Sequence, residues 1–254
     1  MLTFISCAKT MTDRSRVNVP FTSEPHFAEE AKQNAMEMAQ YSADDLSRVL
    51  RINQKLSAEN YMRYHDFLSD DGKQLPTLLS YTGMVFKRIH PGDFTPEDFS
   101  YAQDHLLITS FLYGLLRPLD LIRNYRMEGD VKLSERGGVT MFDYWKPLLT
   151  DFFIGEIKRN GGVLVNLASG EMKDLFDWKR VCREVRVITP EFYTWKNGKL
   201  VVVTVYAKMC RGEMTRFILK NRIECPDELK RFEWEGFTYD EAESEGDRLC
   251  FLLR

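Results

Sequence analysis

Residues 201–223, VVVTVYAKMCRGEMTRFILKNRI, begin as a buried strand and become a segment with five cations and one acid, in a 254-residue chain of net charge −3. Placed on a helix at about 100° per residue, Lys208, Arg211, Thr215 and Arg222 fall within an arc of about 60°. Cys210, Met214, Phe217 and Ile218 fall on the far side, while Glu213, Arg216 and Lys220 lie off the stripe. A cationic stripe of this kind is chemistry for holding phosphate. Gly212 beside it leaves room for a close backbone approach. The stripe directly follows a strand edge, where ligands often lie. The alternative is a solvated face, or cations paired with carboxylates such as those of residues 233–247.

A second candidate is DHLLITSFLYGLLRPLDLIRNYRME, residues 104–128. The pattern predicts an apolar helix over Phe99–Leu116, a break at Arg117-Pro118 and a short second helix through Ile122. Two helices about a turn near Gly114 suit a helix–hairpin–helix, whose backbone N–H groups hold a DNA phosphate without reading bases. Arg117, Arg123 and Arg126 would add charge. The alternative is a Pro-broken core helix with Arg117 and Asp120 as a structural pair.

Several motifs that would name a reaction are missing. Ala8-Lys9-Thr10 ends like a phosphate loop but lacks its glycines. Leu167–Glu171 lacks the first glycine of a nucleophile elbow. His26, His65, His90 and His105 show no pair at ligand spacing, so neither a metal nor a cofactor is expected. Ser6, Lys9, Asp120, Glu128, Asn166, Ser169, Lys208 and Arg211 nevertheless sit at predicted strand or helix ends, where the site of an enzyme acting on a nucleotide or nucleic-acid phosphate could assemble.

The elements that must position these groups read as follows. Leu2–Ser6 is a short buried strand, and helices follow over His26–Met38, Ser42–Leu56 and Asn60–Phe67. Pro76–Ile89 is ambiguous. Thr95, Pro96, Glu97 and Asp98 are a helix start, with a cap, a first-turn proline and acids. Phe142–Lys158 is helical, Val163–Leu167 and Val185–Thr189 are strands, and Asn197-Gly198 joins two strand-like runs as a hairpin. Ala207–Ile223 is a helix, and Phe237–Tyr239 and Leu249–Leu253 close as strands. With no linker or repeat, the order predicts one α+β domain over residues 1–254, with a mixed or largely antiparallel sheet.

Composition narrows the setting. Hydrophobic residues make up 44% of the chain and aromatics 13%, which suits a folded globular protein. No run approaches the ~18 apolar residues of a membrane span, and the N-terminus lacks a secretory pattern, so a cytoplasmic protein is expected. Five cysteines without a CxxC pair fit reduced thiols. Seven acids crowd Glu233–Asp247; without them the net −3 becomes +4, a mildly basic body with an acidic segment that could mask or frame a cleft.

Four blocks, ISCAKTM, YAQDHLLITSFLYGLLRPLDLIRNYRME, VLVNLAS and VYAKMCRGEMTRFILKNRI, occur in the order and spacing of the YaaA family of bacterial peroxide-stress proteins, which the chain resembles over essentially its whole length. The resemblance implies survival of hydrogen peroxide with limited damage from free iron. It also implies a family-specific fold that binds duplex and branched DNA through a basic cleft and a helix–hairpin–helix. Matching positions are Ser6, Lys9 and Thr10; Gly114, Arg117, Pro118, Asp120, Tyr125, Arg126 and Glu128; Asn166 and Ser169; and Tyr206, Lys208, Arg211, Gly212 and Arg216. For DNA contact the expected set is Lys9, Gly114, Arg117, Arg126, Lys208, Arg211 and Arg216. Two departures stand out. Cys7 replaces a usual Pro, and Thr82–Phe86 (TGMVF) replaces a common Lys-Gly-Asp-Val-Tyr, losing a cation and an acid. Beside Lys9, Cys7 could be a peroxide-reactive thiolate; an inert buried cysteine at a strand end is the favoured reading.

Overall fold

The computed structural model describes residues 1–67, 69 and 72–254. Along the chain run β1 (Leu2–Ile5), α1 (Ala28–Met38), α2 (Ala43–Leu50), α3 (Gln54–Phe67), β2 (Leu75–Pro76), α4 (Thr77–Ser80) and α5 (Met84–Ile89). Next come α6 (Pro96–His105), β3 (Leu106–Ser110), β4 (Gly114–Leu116), β5 (Leu121–Ile122), α7 (Met141–Arg159) and β6 (Val163–Asn166). The chain closes with α8 (Trp178–Glu184), β7 (Arg186–Lys196), β8 (Lys199–Val201), α9 (Thr204–Asn221), β9 (Phe237–Tyr239) and β10 (Arg248–Leu253). Among the described residues no helix is long and apolar enough to cross a membrane.

Eight strands form one sheet in the order β4-β3-β1-β6-β7-β10-β9, with β8 paired to β7. The α+β class and the mixed sheet stand, but its core is not antiparallel. Strands β3, β1, β6, β7 and β10 are mutually parallel, and antiparallel pairing is confined to β4, β8 and β9. The physical reason is burial. Leu2–Ile5 and Leu106–Ser110 are buried at every position, so both faces of these strands are covered by protein, as parallel sheets require.

Local chemistry sets the helix starts. Ser42 and Thr95 each close a capping box, accepting from the N–H of Asp45 and Asp98 while those carboxylates accept from the cap N–H. Asn197 and Gly198, both at positive φ, turn β7 into β8.

The helix expected over Phe99–Leu116 stops at His105, and no second helix follows. The segment is a β-hairpin, Ile108–Ser110 pairing antiparallel with Gly114–Leu116. Leu106–Ile108 continues the apolar pattern, which fits a doubly buried strand as well as a helix, and pairing with β1 decides it. The helix–hairpin–helix reading of this segment is therefore not what the chain forms. Gly114, at φ +73°, lets the hairpin re-enter the sheet beneath Trp145 and Leu149, whose atoms would lie 2.9 Å from an added Cβ.

Candidate functional site

Chain order reverses at β1. From it the path first adds β3 on one side and later β6 on the other. In open sheets built from parallel strands, the crevice at the carboxyl ends beside such a reversal is where ligands bind. The polar ends meet there. Ser6, just past β1, accepts from the Ser169 N–H at 2.8 Å, and the two hydroxyls lie 3.1 Å apart. Ser169 also donates to Glu171 at 3.3 Å. The loop that follows β1 runs alongside residues 80–82, where Thr82 N–H donates to the Thr10 carbonyl at 3.0 Å and Thr12 N–H to the Ser80 carbonyl at 2.8 Å.

A cleft of about 720 Å³ opens over this crossing. The post-β1 loop, the post-β6 turn, the N-terminus of α5, the segment 125–130 and α9 wall it. Lys9 pairs with Glu128 at 2.8 Å, and Arg126 lies 2.9 Å from the other oxygen of the same carboxylate. Arg51 at the end of α2 pairs with Asp130 at 2.7 Å. Lys208 and Arg211 differ from these: among the described residues neither makes a salt bridge. Arg211 is half-buried, and desolvation pulls its guanidinium below the ordinary value while Glu191 acts weakly the other way. An arginine held this way lacks an anion, and the cleft is the face it meets.

The helix α9 is placed by Gly212. A Cβ there would lie 2.4 Å from the Val85 carbonyl oxygen, so only glycine allows the backbone of α5 to press against α9. The close approach anticipated at Gly212 is thus filled by the protein itself. It brings Met84 and Val85 into the lining of the cleft that Lys208 and Arg211 share. At the N-terminus of α5, Gly83 would meet Ala8 with a Cβ at 2.6 Å, so the glycine lets α5 pack against the post-β1 loop.

Of the residues expected to bind or react, Ser6, Lys9, Thr10, Arg126, Glu128, Ser169, Lys208 and Arg211 line this one cleft. The others lie elsewhere. Arg216 is clamped in a bidentate pair with Asp93, at 2.8 and 2.7 Å. Arg222, on the predicted stripe, bonds Asp98 at 3.2 Å, and Lys220 bonds the same carboxylate at 2.6 Å. The C-terminal half of α9 therefore follows the paired-cation alternative, with Asp93 and Asp98 as partners rather than residues 233–247. Arg117 reaches Glu156 at 2.5 Å, while Asp120 is buried and accepts from Ser23 and from the Arg117 N–H. Gly114 is covered by Trp145 and Leu149, and Asn166 is buried in the ladder with its side chain accepting from Ala168 N–H. The acidic segment does not frame the cleft; within it Asp247 binds Arg186, and Asp240 binds Arg254.

Sequence reasoning missed the apolar half of the cleft: Leu50, Met84, Phe111, Met127 and Phe142. These residues come from five different segments, and no pattern within any one of them announces the convergence. Cys7 also lines the cleft, its N–H donating to Thr109 at 3.0 Å, and burial pushes its thiol up to about 11. A thiol so raised is disfavoured as the thiolate that reacts with peroxide. Among the described residues no cluster of three or more His, Cys, Asp or Glu could hold a metal ion.

The β1 loop, residues 125–130 and α9 thus build a cationic cleft at the crossover of a parallel-centred sheet. The chain belongs to the family described as peroxide stress protein YaaA, whose model matches residues 1–243. It is 68% identical to a UPF0246 protein of Phocaeicola vulgatus, across 100% of this chain and 99% of that one. It is also 61% identical to a UPF0246 protein of Bacteroides fragilis (99% and 98%) and 44% identical to one of Porphyromonas gingivalis (100% and 100%).

Proposed function

We propose that this protein acts in the peroxide response of the bacterial cytoplasm by binding double-stranded or branched DNA through the cleft, without base preference. The observation that carries this reading is the pair of cations on α9, Lys208 and Arg211, which make no salt bridge among the described residues and line the same cleft as the hydroxyls of Ser6 and Ser169. Cations without internal carboxylates are free to meet phosphate, and hydroxyls and N–H groups complete such contacts without reading sequence. Lys9 and Arg126, held by Glu128, shape the rim and add charge once a phosphate competes for them. Gly114, Arg117 and Arg216 have no part in this interface. Limiting damage from free iron would follow from occupancy of the DNA rather than from holding metal. A second reading, an enzyme acting on a nucleotide phosphate, is favoured by the placement of the cleft at the carboxyl ends of parallel strands.

Fluorescence anisotropy of a labelled random-sequence duplex, at several salt concentrations, tests the binding reading. Wild type should bind and weaken with salt. Lys208→Ala/Arg211→Ala should bind more weakly, with a log–log salt slope shallower by about 2, one for each lost phosphate contact. A wild type that ignores DNA at low salt, or a folded double variant that binds equally well, would overturn it.

A further inference from the structure

The hairpin tip Trp195–Leu200 belongs neither to the cleft nor to the core. β10 accompanies β7 only as far as Thr194, so Trp195 and Lys196 pair with β8 alone. Directly opposed residues share a face of a two-stranded ribbon. The register therefore sets Trp195 beside Leu200 on one face and Lys196 beside Lys199 on the other. Trp195 is 49% exposed, while Trp145, Trp178 and Trp234 are buried or half-buried. The tip is thus a ribbon with an apolar face and a cationic face, and a large ring left in water at a sheet edge marks a contact surface.

Charge decides what that surface meets. On β7, Arg186 pairs with Asp247 and Glu191 with Arg248, yet among the described residues Lys196 and Lys199 make no salt bridge. From Trp195 to Lys208 the chain reads WKNGKLVVVTVYAK, three cations and no acid. Two copies meeting hairpin to hairpin would set these cations against each other, so an anionic partner is favoured over a second copy. An aromatic ring beside lysines is the composition of surfaces that take unpaired nucleic acid, the ring stacking on a base while the cations meet phosphate. The ribbon also leads into the cleft. Only Val202 and Val203 separate β8 from α9, and Lys208, which lines the cleft, stands about 6 Å along the helix from Thr204.

We infer that the β7–β8 hairpin is a second DNA contact, a pin at points where two strands part. Trp195 stacks on an unpaired base at the branch, and Lys196 and Lys199 meet the phosphates of the strand on the other face of the ribbon. This rests on the proposed DNA binding by the cleft and adds a reason for branched DNA to be held more tightly than continuous duplex. At a branch the bases are already unpaired, so the stacking gain is not offset by melting.

Wild type, Trp195→Ala, Trp195→Phe and Lys196→Ala/Lys199→Ala are titrated with two labelled probes of equal nucleotide number, a continuous duplex and a fork with unpaired arms. All four positions of the tip that are changed or kept lie outside the cleft and the core, and circular dichroism checks each fold. Wild type should bind the fork about tenfold more tightly than the duplex, the size of one base–aromatic contact, and the fork should quench tryptophan emission more than the duplex does. Trp195→Ala should bind the duplex as wild type does and lose both the preference and the extra quenching. Trp195→Phe, which keeps a ring, should retain part of the preference. Lys196→Ala/Lys199→Ala should bind the fork with a salt slope shallower by about 1–2; an unchanged slope overturns the phosphate contacts. If wild type binds both probes alike, or Trp195→Ala keeps the preference, the pin is wrong and duplex binding by the cleft survives. Binding of neither probe by wild type overturns the DNA reading and the pin with it. A wild-type dimer in sedimentation that Trp195→Ala turns into a monomer makes the hairpin an interface between copies and overturns the pin.

Discussion

Replacing Gly212 by alanine probes the contact on which the cleft depends. The added Cβ would lie 2.4 Å from the Val85 carbonyl oxygen, 2.6 Å from Arg88 Cβ and 3.1 Å from Val85 C. Two of these three atoms are backbone, so no rotamer change relieves them. Restoring ordinary contact at about 3.4 Å requires α5 and α9 to part by roughly 1 Å along this seam. Overpacking of this kind costs about 1–3 kcal/mol. Alanine returns about 1 kcal/mol through helix propensity, and the rigid backbone obstacle places the net near a loss of about 1–2 kcal/mol. In a chain of this length each kcal/mol moves the midpoint by about 2–4 °C. Urea and thermal unfolding of wild type and Gly212→Ala would show it. DNA affinity should fall in parallel, because Met84 and Val85 ride on α5. A variant as stable as wild type, or more stable by about 1 kcal/mol, would mean that α5 and α9 do not touch through Gly212 and that the wall of the cleft is placed differently.

Other consequences are independent of that seam. Gly114→Ala, at φ +73° beneath Trp145 and Leu149, should destabilise the fold by about 2–4 kcal/mol through backbone strain and overpacking. The refolded variant should bind DNA as wild type does, whereas a selective loss of binding would restore a contact role to that turn. In the native protein at neutral pH, iodoacetamide should modify the exposed Cys182 and Cys225 first, the half-buried Cys7 more slowly because its thiol is raised, and the buried Cys210 and Cys250 only on unfolding; mass mapping that finds Cys7 adducts as early as those of Cys182 would contradict that order. The hydrogen bonds from Arg216 hold the Asp93 carboxyl down to about 2, against an ordinary value of 3.8. The pair therefore stabilises the fold above about pH 4, and its contribution is lost as pH falls toward 2. Because Asp93 is 45% exposed, the amount is about 0.5 kcal/mol. Arg216→Ala should remove that fraction of the acid sensitivity in urea midpoints measured between pH 2.5 and 5, and an unchanged acid limb would refute the pairing.

Much of this was legible in local chemistry. Ser42 and Thr95 each announced a helix start, Asn197-Gly198 announced a hairpin, and the cationic half of the site was present in Lys208 and Arg211 before any fold was known. What local pattern could not decide was pairing. Leu106–Ser110 has the composition of a buried helix turn and of a buried strand, and only the neighbouring β1 separates them. The runs Leu2–Ile5, apolar but for Thr3, and Leu106–Ile108 did carry a sign of parallel pairing, since strands covered on both faces do not alternate. Charge partners were equally out of reach. Arg211 and Arg222 share the same stripe, yet Asp98, over a hundred residues earlier, neutralises one and leaves the other lining the cleft. The apolar wall, drawn from separate segments, became visible only once the sheet had brought them together.

On the proposed function, the unpaired cations of the cleft, rather than the overall charge of α9, hold phosphate. Two charge-matched variants decide it: Lys208→Ala/Arg211→Ala and Arg216→Ala/Arg222→Ala, each confirmed folded by circular dichroism and titrated with the same labelled duplex across salt. The first should lose about tenfold or more in affinity, with a salt slope shallower by about 2, while the second should bind like wild type because Asp93 and Asp98 already neutralise those arginines. Equal losses in both, or a larger loss in the second, would overturn the assignment of phosphate binding to Lys208 and Arg211.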